Sequence, residues 1–259
     1  MTSQIGLFIG MLGLAYLIGS IPTAYLAGKW LKGIDLREYG SGTVSASMVW
    51  EHVAKWALFP VGIFDILKGA IPIWIALALQ LTEQQVALIG MAAVLGHNWS
   101  VFLNFHGGRG LSPFLGVLFV LYPYGFLGML LVLGLGVLLD ISAPLSLVAI
   151  VLLPGLAALT DGPAVVSLLS ICMFVITFIK RLEANHRPLP PDAHERFKVI
   201  MLRIFFDRDL LDHKTWLQQK PSPSPGDEGN IKKKGRCCKP SSKCVEKRKL
   251  VSGVSINIL

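Results

Sequence analysis

The sequence predicts an all-α, polytopic integral membrane protein of about seven transmembrane helices. Three observations carry this: 53% of the 259 residues are hydrophobic, mean hydropathy is +0.60, and long apolar runs alternate with short polar turns. The formal charge of +8 is placed unevenly: residues 1–179 hold six Lys/Arg and seven Asp/Glu, whereas the rest of the chain holds 18 and nine. The basic character belongs to the C-terminal tail, so a reading as a partner of anionic lipid or nucleic acid applies only there.

In chain order, the apolar segments run over Ile5–Leu26, Pro60–Leu81, Gln84–Leu95, Leu111–Leu121, Tyr124–Leu139, Pro144–Leu159 and Pro163–Ile179. The first lacks a basic leader and a cleavage site and reads as a retained helix. The third and fourth are short for a span of about 20 residues, which suits helices that line a site. Turn residues separate the later segments: Tyr122-Pro123-Tyr124, Asp140 to Pro144, and Thr160-Asp161-Gly162-Pro163. The connections holding Lys29, Lys32, Arg37, Lys55 and Arg109 share one face with the tail, while those holding Glu83 and Asp161 carry no Lys or Arg. The positive-inside rule makes the first face cytoplasmic. The expectation is a multi-pass protein of the plasma or inner membrane, with its site and C-terminus in the cytoplasm.

Three polar stretches interrupt this pattern. Gly96 to Pro113 holds two His, two Asn, two Ser, one Arg and four Gly between apolar segments, a composition costly in hydrocarbon without a use. Within it, Gly107, Gly108 and Gly110 allow positive φ and close backbone approach. A helix starting near Leu111 would aim its amides at an anion, and Arg109 adds a guanidinium suited to phosphate or carboxylate. A tight interhelical turn is the plain alternative. His97 and His106 lack a nearby cysteine or carboxylate to complete a metal site, so no metal is expected. In the segment Leu31–Lys55, Asp35, Arg37, Glu38 and Ser41 cluster, with Gly40 and Gly42 flanking the serine; Ala46 to Leu58, with Trp50 and Trp56, reads as an interfacial helix. Asp65 and Lys68 share one helix face inside an apolar run and are expected to neutralise each other.

Gly96-His97-Asn98, Val101-Phe102-Leu103-Asn104-Phe105 and the glycine loop together resemble the central motif of the bacterial acyl-phosphate:glycerol-3-phosphate acyltransferases. Two further motifs occur in the same order as in that family: Gly19 to Pro22 leading to Asp35-Leu36-Arg37-Glu38-Tyr39-Gly40-Ser41-Gly42, and Asp65-Ile66-Leu67-Lys68-Gly69. The resemblance covers roughly residues 5–185. It implies transfer of a fatty acyl group from acyl phosphate to glycerol 3-phosphate. Ser41 and Arg109 would be the catalytic residues, Gly107, Gly108, Gly110, Lys68 and Arg37 would bind substrate, and His97, Asn98 and Asp65 would support the loop. No cofactor is implied, because acyl phosphate is already activated.

Several positions depart from the family pattern. Glu51 stands where a phosphate-binding arginine is expected, and Arg109 replaces a lysine. Val175 and Phe178 stand where the family has a histidine and an asparagine ahead of Ile179-Lys180-Arg181-Leu182. Asn185 and His186 are out of register and take no role from the family. These departures support a second reading, a non-catalytic membrane paralogue that binds lipid or a phosphorylated metabolite.

The organisation expected is a membrane acyltransferase-like domain over residues 1–185, an amphipathic interfacial segment over 186–219 and a basic disordered tail over 220–259. From Ala193 to Gln218, Phe197, Ile200, Met201, Ile204 and Phe205 recur at helical spacing among basic residues, as in a helix on a membrane surface. The Pro-Ser repeat after Lys220, followed by Lys232-Lys233-Lys234 and Lys247-Arg248-Lys249, favours anionic lipid as a partner over nucleic acid. Cys172 reads as a core residue; Cys237, Cys238 and Cys244 do not make a zinc set.

Overall fold

The computed structural model describes residues 2–39, 42–210, 212 and 215, and every regular element among them is helical. In order these are α1 (Thr2–Ser20), α2 (Thr23–Lys32), α3 (Ala46–His52), α4 (Leu58–Ala78), α5 (Glu83–Asn98), α6 (Leu111–Leu121), α7 (Pro123–Leu138), α8 (Ser142–Leu159), α9 (Val165–Glu183) and α10 (Ala193–Phe206). Short 3-10 turns at Leu36–Glu38, Lys55–Ala57, Val101–Leu103 and Ala184–His186 complete the connections.

The apolar segments are helical where the sequence places them, but their lengths differ from expectation. Among the described residues, five stretches are long and apolar enough to cross a membrane: Gln4–Lys32, Lys55–Ala78, Glu83–Leu103, Ser142–Leu159 and Val165–His186. The first contains both α1 and α2. At 1.5 Å per residue, the 11-residue α6 and the 16-residue α7 rise only about 16 and 24 Å, short of a hydrocarbon core of about 30 Å. Length alone therefore supports five spans rather than seven. The third apolar segment is not short, because α5 continues through the polar His97 and Asn98, whose side chains turn inward. A Thr82/Gln85 capping box starts that helix, with the Gln85 side chain accepting the Thr82 amide at 3.0 Å.

The core centres on α5, which packs against α1, α4, α6 and α9, while α7, α8 and α9 form an adjoining layer. Glycines make the closest crossings possible: a Cβ on Gly69 of α4 would collide with the Pro113 carbonyl of α6, and one on Gly116 of α6 with the Ile66 carbonyl. Small residues at helix contacts are the usual way to pack helices in lipid, where no hydrophobic drive separates helix from solvent. Large apolar side chains instead cover the outside; Leu131, Val137, Leu138 and Leu159 are 72–85% exposed. A smaller cluster around Leu36, Val44, Met48, Val49 and Val61 seats α3 and the segment before it on the start of α4.

The C-terminal helix breaks inside the stretch that the apolar spacing predicts as one helix. α10 ends at Phe206, where Asp207 adopts a left-handed conformation (φ 56, ψ 36), and residues 207–210 are not helical; most of 211–218 lies outside the described residues. Its basic residues divide: Arg203 is buried, whereas Arg196 and Lys198 are exposed, as are Phe197 and Phe205 at 64% and 54%. The tail from 220 lies outside the described residues.

Candidate active site

Pro22 breaks the first span. It has no N–H to continue the helical ladder, so α1 ends at Ser20 and α2 restarts at Thr23, leaving the carbonyls of Ser20 and Ile21 without helical partners. Side chains supply them. Ser100 Oγ donates to the Ser20 carbonyl at 2.5 Å, and Lys68 Nζ donates to the Ile21 carbonyl at 2.5 Å. Lys68 also donates to Thr23 Oγ1 at 3.0 Å and Asp65 Oδ1 at 2.6 Å, and Thr23 Oγ1 donates to the same Asp65 oxygen at 2.6 Å. His97 Nδ1 lies 3.8 Å from Asp65 Oδ1. Asp65 and Lys68 thus neutralise each other in a buried network that closes the helix break. The network lines a small polar cavity shared with Val44, Ser100 and Gly107, and Asp65 Oδ2 has no hydrogen-bond partner there.

The glycine loop closes one wall of that cavity. Gly110 has positive φ (74°) and caps α6, which starts at Leu111 as the sequence anticipates. Gly107 and Gly108 do not have positive φ. They are required for closeness instead: a Cβ on Gly107 would strike the His97 carbonyl, and one on Gly108 would strike His97 Nε2. The Gly108 amide donates to the His97 carbonyl at 3.1 Å, and the Val44 amide donates to the Gly107 carbonyl at 3.1 Å. Asn98 is fully buried against Gly110, with neither side-chain amide atom hydrogen-bonded. His97 and Asn98, on the last turn of α5, therefore form the bed on which the loop rests.

Arg109 extends from this loop to the ends of α9 and α10. Its Nε donates to Asp207 Oδ2 at 2.8 Å and its Nη1 to the Lys180 carbonyl at 2.9 Å. Lys180 is fully buried; it donates to Glu183 at 3.0 Å and lies over the Trp99 ring, 4.9 Å from its centroid, while Trp99 Nε1 donates to Glu183 at 2.8 Å. Arg181, also buried, donates to the Ala143 carbonyl at 2.6 Å, to Ser146 Oγ at 3.0 Å and to the Ile204 carbonyl at 2.6 Å. These bonds gather the ends of α6, α8, α9 and α10 at one end of the bundle.

Arg37 is held elsewhere. It forms a two-point pair with Asp35, Nε to Oδ1 at 3.0 Å and Nη2 to Oδ2 at 2.7 Å, and packs 5.3 Å over the Tyr25 ring. Burial works to raise the Asp35 pKa, but the Arg37 hydrogen bonds and charge, with Lys29, outweigh it and hold the carboxyl below its usual range; the same hydrogen bond raises Arg37. Ser41 and Gly40 lie outside the described residues. Glu51 is exposed on α3.

One residue that the motifs did not assign reaches the loop. Asn185 Nδ2 donates to the carbonyls of Gly42 and Gly107, at 3.0 and 3.3 Å, tying the segment after Ser41 to the glycine loop. Ala184, Asn185 and His186 all have positive φ, so α9 ends abruptly there. A sequence signal existed: asparagine tolerates the left-handed conformation, and Pro188 follows closely. Val175 and Phe178, by contrast, lie on the outer face of α9, 48% and 37% exposed.

Comparison with known proteins gives a consistent result. The family described as glycerol-3-phosphate acyltransferase matches residues 9–189. Glycerol-3-phosphate acyltransferase 5 of Dehalococcoides mccartyi is 35% identical over 231 residues, covering 84% of this chain and 95% of the relative. The glycerol-3-phosphate acyltransferase of Geotalea daltonii is 45% identical over 130 residues, 50% of this chain and 64% of that protein. The crystal structure of PlsY, an integral membrane glycerol 3-phosphate acyltransferase, in its glycerol 3-phosphate form, is 32% identical with a TM-score of 0.62, covering 70% of this chain and 90% of that one.

Proposed function

The chain belongs to the glycerol-3-phosphate acyltransferase family, and on that premise we propose that it moves a fatty acyl group from acyl phosphate to a hydroxyl of glycerol 3-phosphate, forming lysophosphatidate for phospholipid biosynthesis. The observation that carries this is the 35% identity sustained over 95% of a relative of that name. The substrate hydroxyl oxygen bonds to the acyl carbonyl carbon, the bond from that carbon to the phosphate oxygen breaks, and phosphate leaves with the electron pair and takes the hydroxyl proton. Because the donor is already activated, alignment of hydroxyl and carbonyl can supply several kcal/mol, and dipoles aimed at the developing oxyanion add to it.

In this reading the α6 N-terminus and the glycine loop, whose Gly108 amide is held by the His97 carbonyl, bind phosphate together with Arg109. Ser41 contacts phosphate or orients the hydroxyl. Lys68 adds positive potential from the adjoining cavity while it holds the helix break, and Asp65, His97 and Asn98 support the loop. Arg37, tied to Asp35, reaches substrate only if that pair opens. The same face of the membrane carries the glycine loop and α10, and the positive-inside rule makes it cytoplasmic. That sidedness is the same whether α6 and α7 both cross or neither does. The exposed Phe197 and Phe205 support contact of α10 with lipid, with anionic lipid the partner of the basic tail.

The test is turnover by the purified full-length protein. Acyl phosphate and glycerol 3-phosphate should yield lysophosphatidate and inorganic phosphate, acyl-CoA should not replace acyl phosphate, and Ser41→Ala and Arg109→Ala should abolish product. Binding of glycerol 3-phosphate without product from either donor would support the non-catalytic paralogue instead.

A further inference from the structure

Resting on the reading that the glycine loop binds phosphate, we propose that Asp207, which lies beyond the residues matched by the family, is a positioning residue of this site: it holds the Arg109 guanidinium in the orientation that meets the substrate phosphate. Arginine has several rotatable bonds, and ordering them costs conformational entropy unless partners fix the group beforehand. Here two partners from different elements do so, Asp207 Oδ2 at 2.8 Å from Nε and the Lys180 carbonyl at 2.9 Å from Nη1. The two bonds hold different edges of the guanidinium, Nε on the Asp207 side and Nη1 on the Lys180 side, and Nη2 between them has no partner among the described residues. A guanidinium fixed at two of its three nitrogens presents the remaining N–H groups to an anion in a set direction.

Asp207 is itself placed by the chain. Arg203 anchors α10 to the end of α9, donating from Nη1 to the carbonyls of Leu182 and Arg187 at 3.3 Å each and from Nε to Asp209 at 2.6 Å. Arg181 adds a bond to the Ile204 carbonyl. One turn later α10 ends at Asp207, whose amide donates to the Arg203 carbonyl at 3.1 Å. Its φ of 56° is a position where glycine is the least strained residue. A carboxylate at such a cap, turned toward the loop with 20% of its side chain exposed, serves the arginine it meets rather than the helix. Lys180 and Arg181 keep the surroundings cationic enough for a phosphate to approach despite that carboxylate.

The experiment compares full-length wild type with Asp207→Gly, Asp207→Asn and Asp207→Glu. Glycine suits the left-handed turn and removes only the side chain; asparagine keeps shape and removes charge. We expect KM and Kd for glycerol 3-phosphate to rise about tenfold or more in the Gly and Asn variants, the loss of one charge-assisted hydrogen bond. The turnover number should change far less, the thermal unfolding midpoint of Asp207→Gly should not fall, and Asp207→Glu should recover part of the affinity. Unchanged Kd and KM in Asp207→Gly overturn the proposal. Calorimetric binding is read alongside turnover so that the two ideas separate. A wild type that binds glycerol 3-phosphate in an Asp207-dependent way without product defeats the catalytic reading and supports this one; a wild type that does not bind it defeats both.

Discussion

Lys68 reaches from α4 to the backbone carbonyl of Ile21, 2.5 Å away, across the break that Pro22 makes between α1 and α2. A charged side chain inside an apolar span thereby serves the backbone, bonding a carbonyl that the break leaves without its i+4 helical donor, while Asp65 balances its charge.

Lys68→Met should therefore be strongly destabilising. It leaves the buried Asp65 carboxylate without its countercharge and takes one of two donors from the Ile21 carbonyl, and removing one member of a buried ion pair costs about 3–5 kcal/mol. Asp65→Asn combined with Lys68→Met removes the stranded charge and should recover part of that loss. Thermal unfolding in detergent checks both; equal midpoints for the single and double variants would show that the pair is not coupled.

The two central glycines of the loop should respond differently to the same second change. Gly108→Ala places a methyl on the His97 ring, and overpacking of this kind costs about 1–3 kcal/mol. His97→Ala makes room, so Gly108→Ala with His97→Ala should be more stable than the sum of the two single changes predicts. At Gly107 the obstacle is backbone, and His97→Ala should not rescue Gly107→Ala. Unfolding midpoints of the two sets decide the point.

Restoring the family residues on α9 should not raise the rate. Val175→His and Phe178→Asn would set polar groups on the outer face of that helix, where lipid gives them no partner and helix packing gains nothing. Steady-state acyl transfer by each variant should be equal to or below wild type. A severalfold increase would mean that these side chains reach the substrates after all, and that α9 turns during the reaction.

Much of the fold was legible in one dimension because its cause is local. Long apolar runs, prolines at Pro22 and Pro123, and the turns at Asp140 and Asp161, both left-handed in the structure, mark helices and their breaks through backbone chemistry that neighbouring residues determine. The start of α6 at Leu111 follows from Gly110 in the same way. Span number was less legible, since α6 and α7 have the composition of membrane helices without the length. The candidate site was legible as a set of residues: the polar composition of Gly96 to Pro113 stands out between apolar helices, and the order of its residues pointed to one family.

What each of those residues touches was decided by tertiary structure alone. Periodicity places Phe197, Met201, Arg203 and Phe205 on a helix, but whether the arginine or the aromatic side faces the bundle depends on carbonyls at the end of α9 that only folding brings near. Gly107 and Gly108 look the same in sequence as glycines chosen for positive φ, yet their constraint is the His97 backbone and ring. Asp207 lies 98 positions from Arg109 and Asn185 lies 143 from Gly42. No spacing rule links residues so far apart, because hydrogen bonds form by proximity in space, and that proximity is fixed by the packing of the whole bundle.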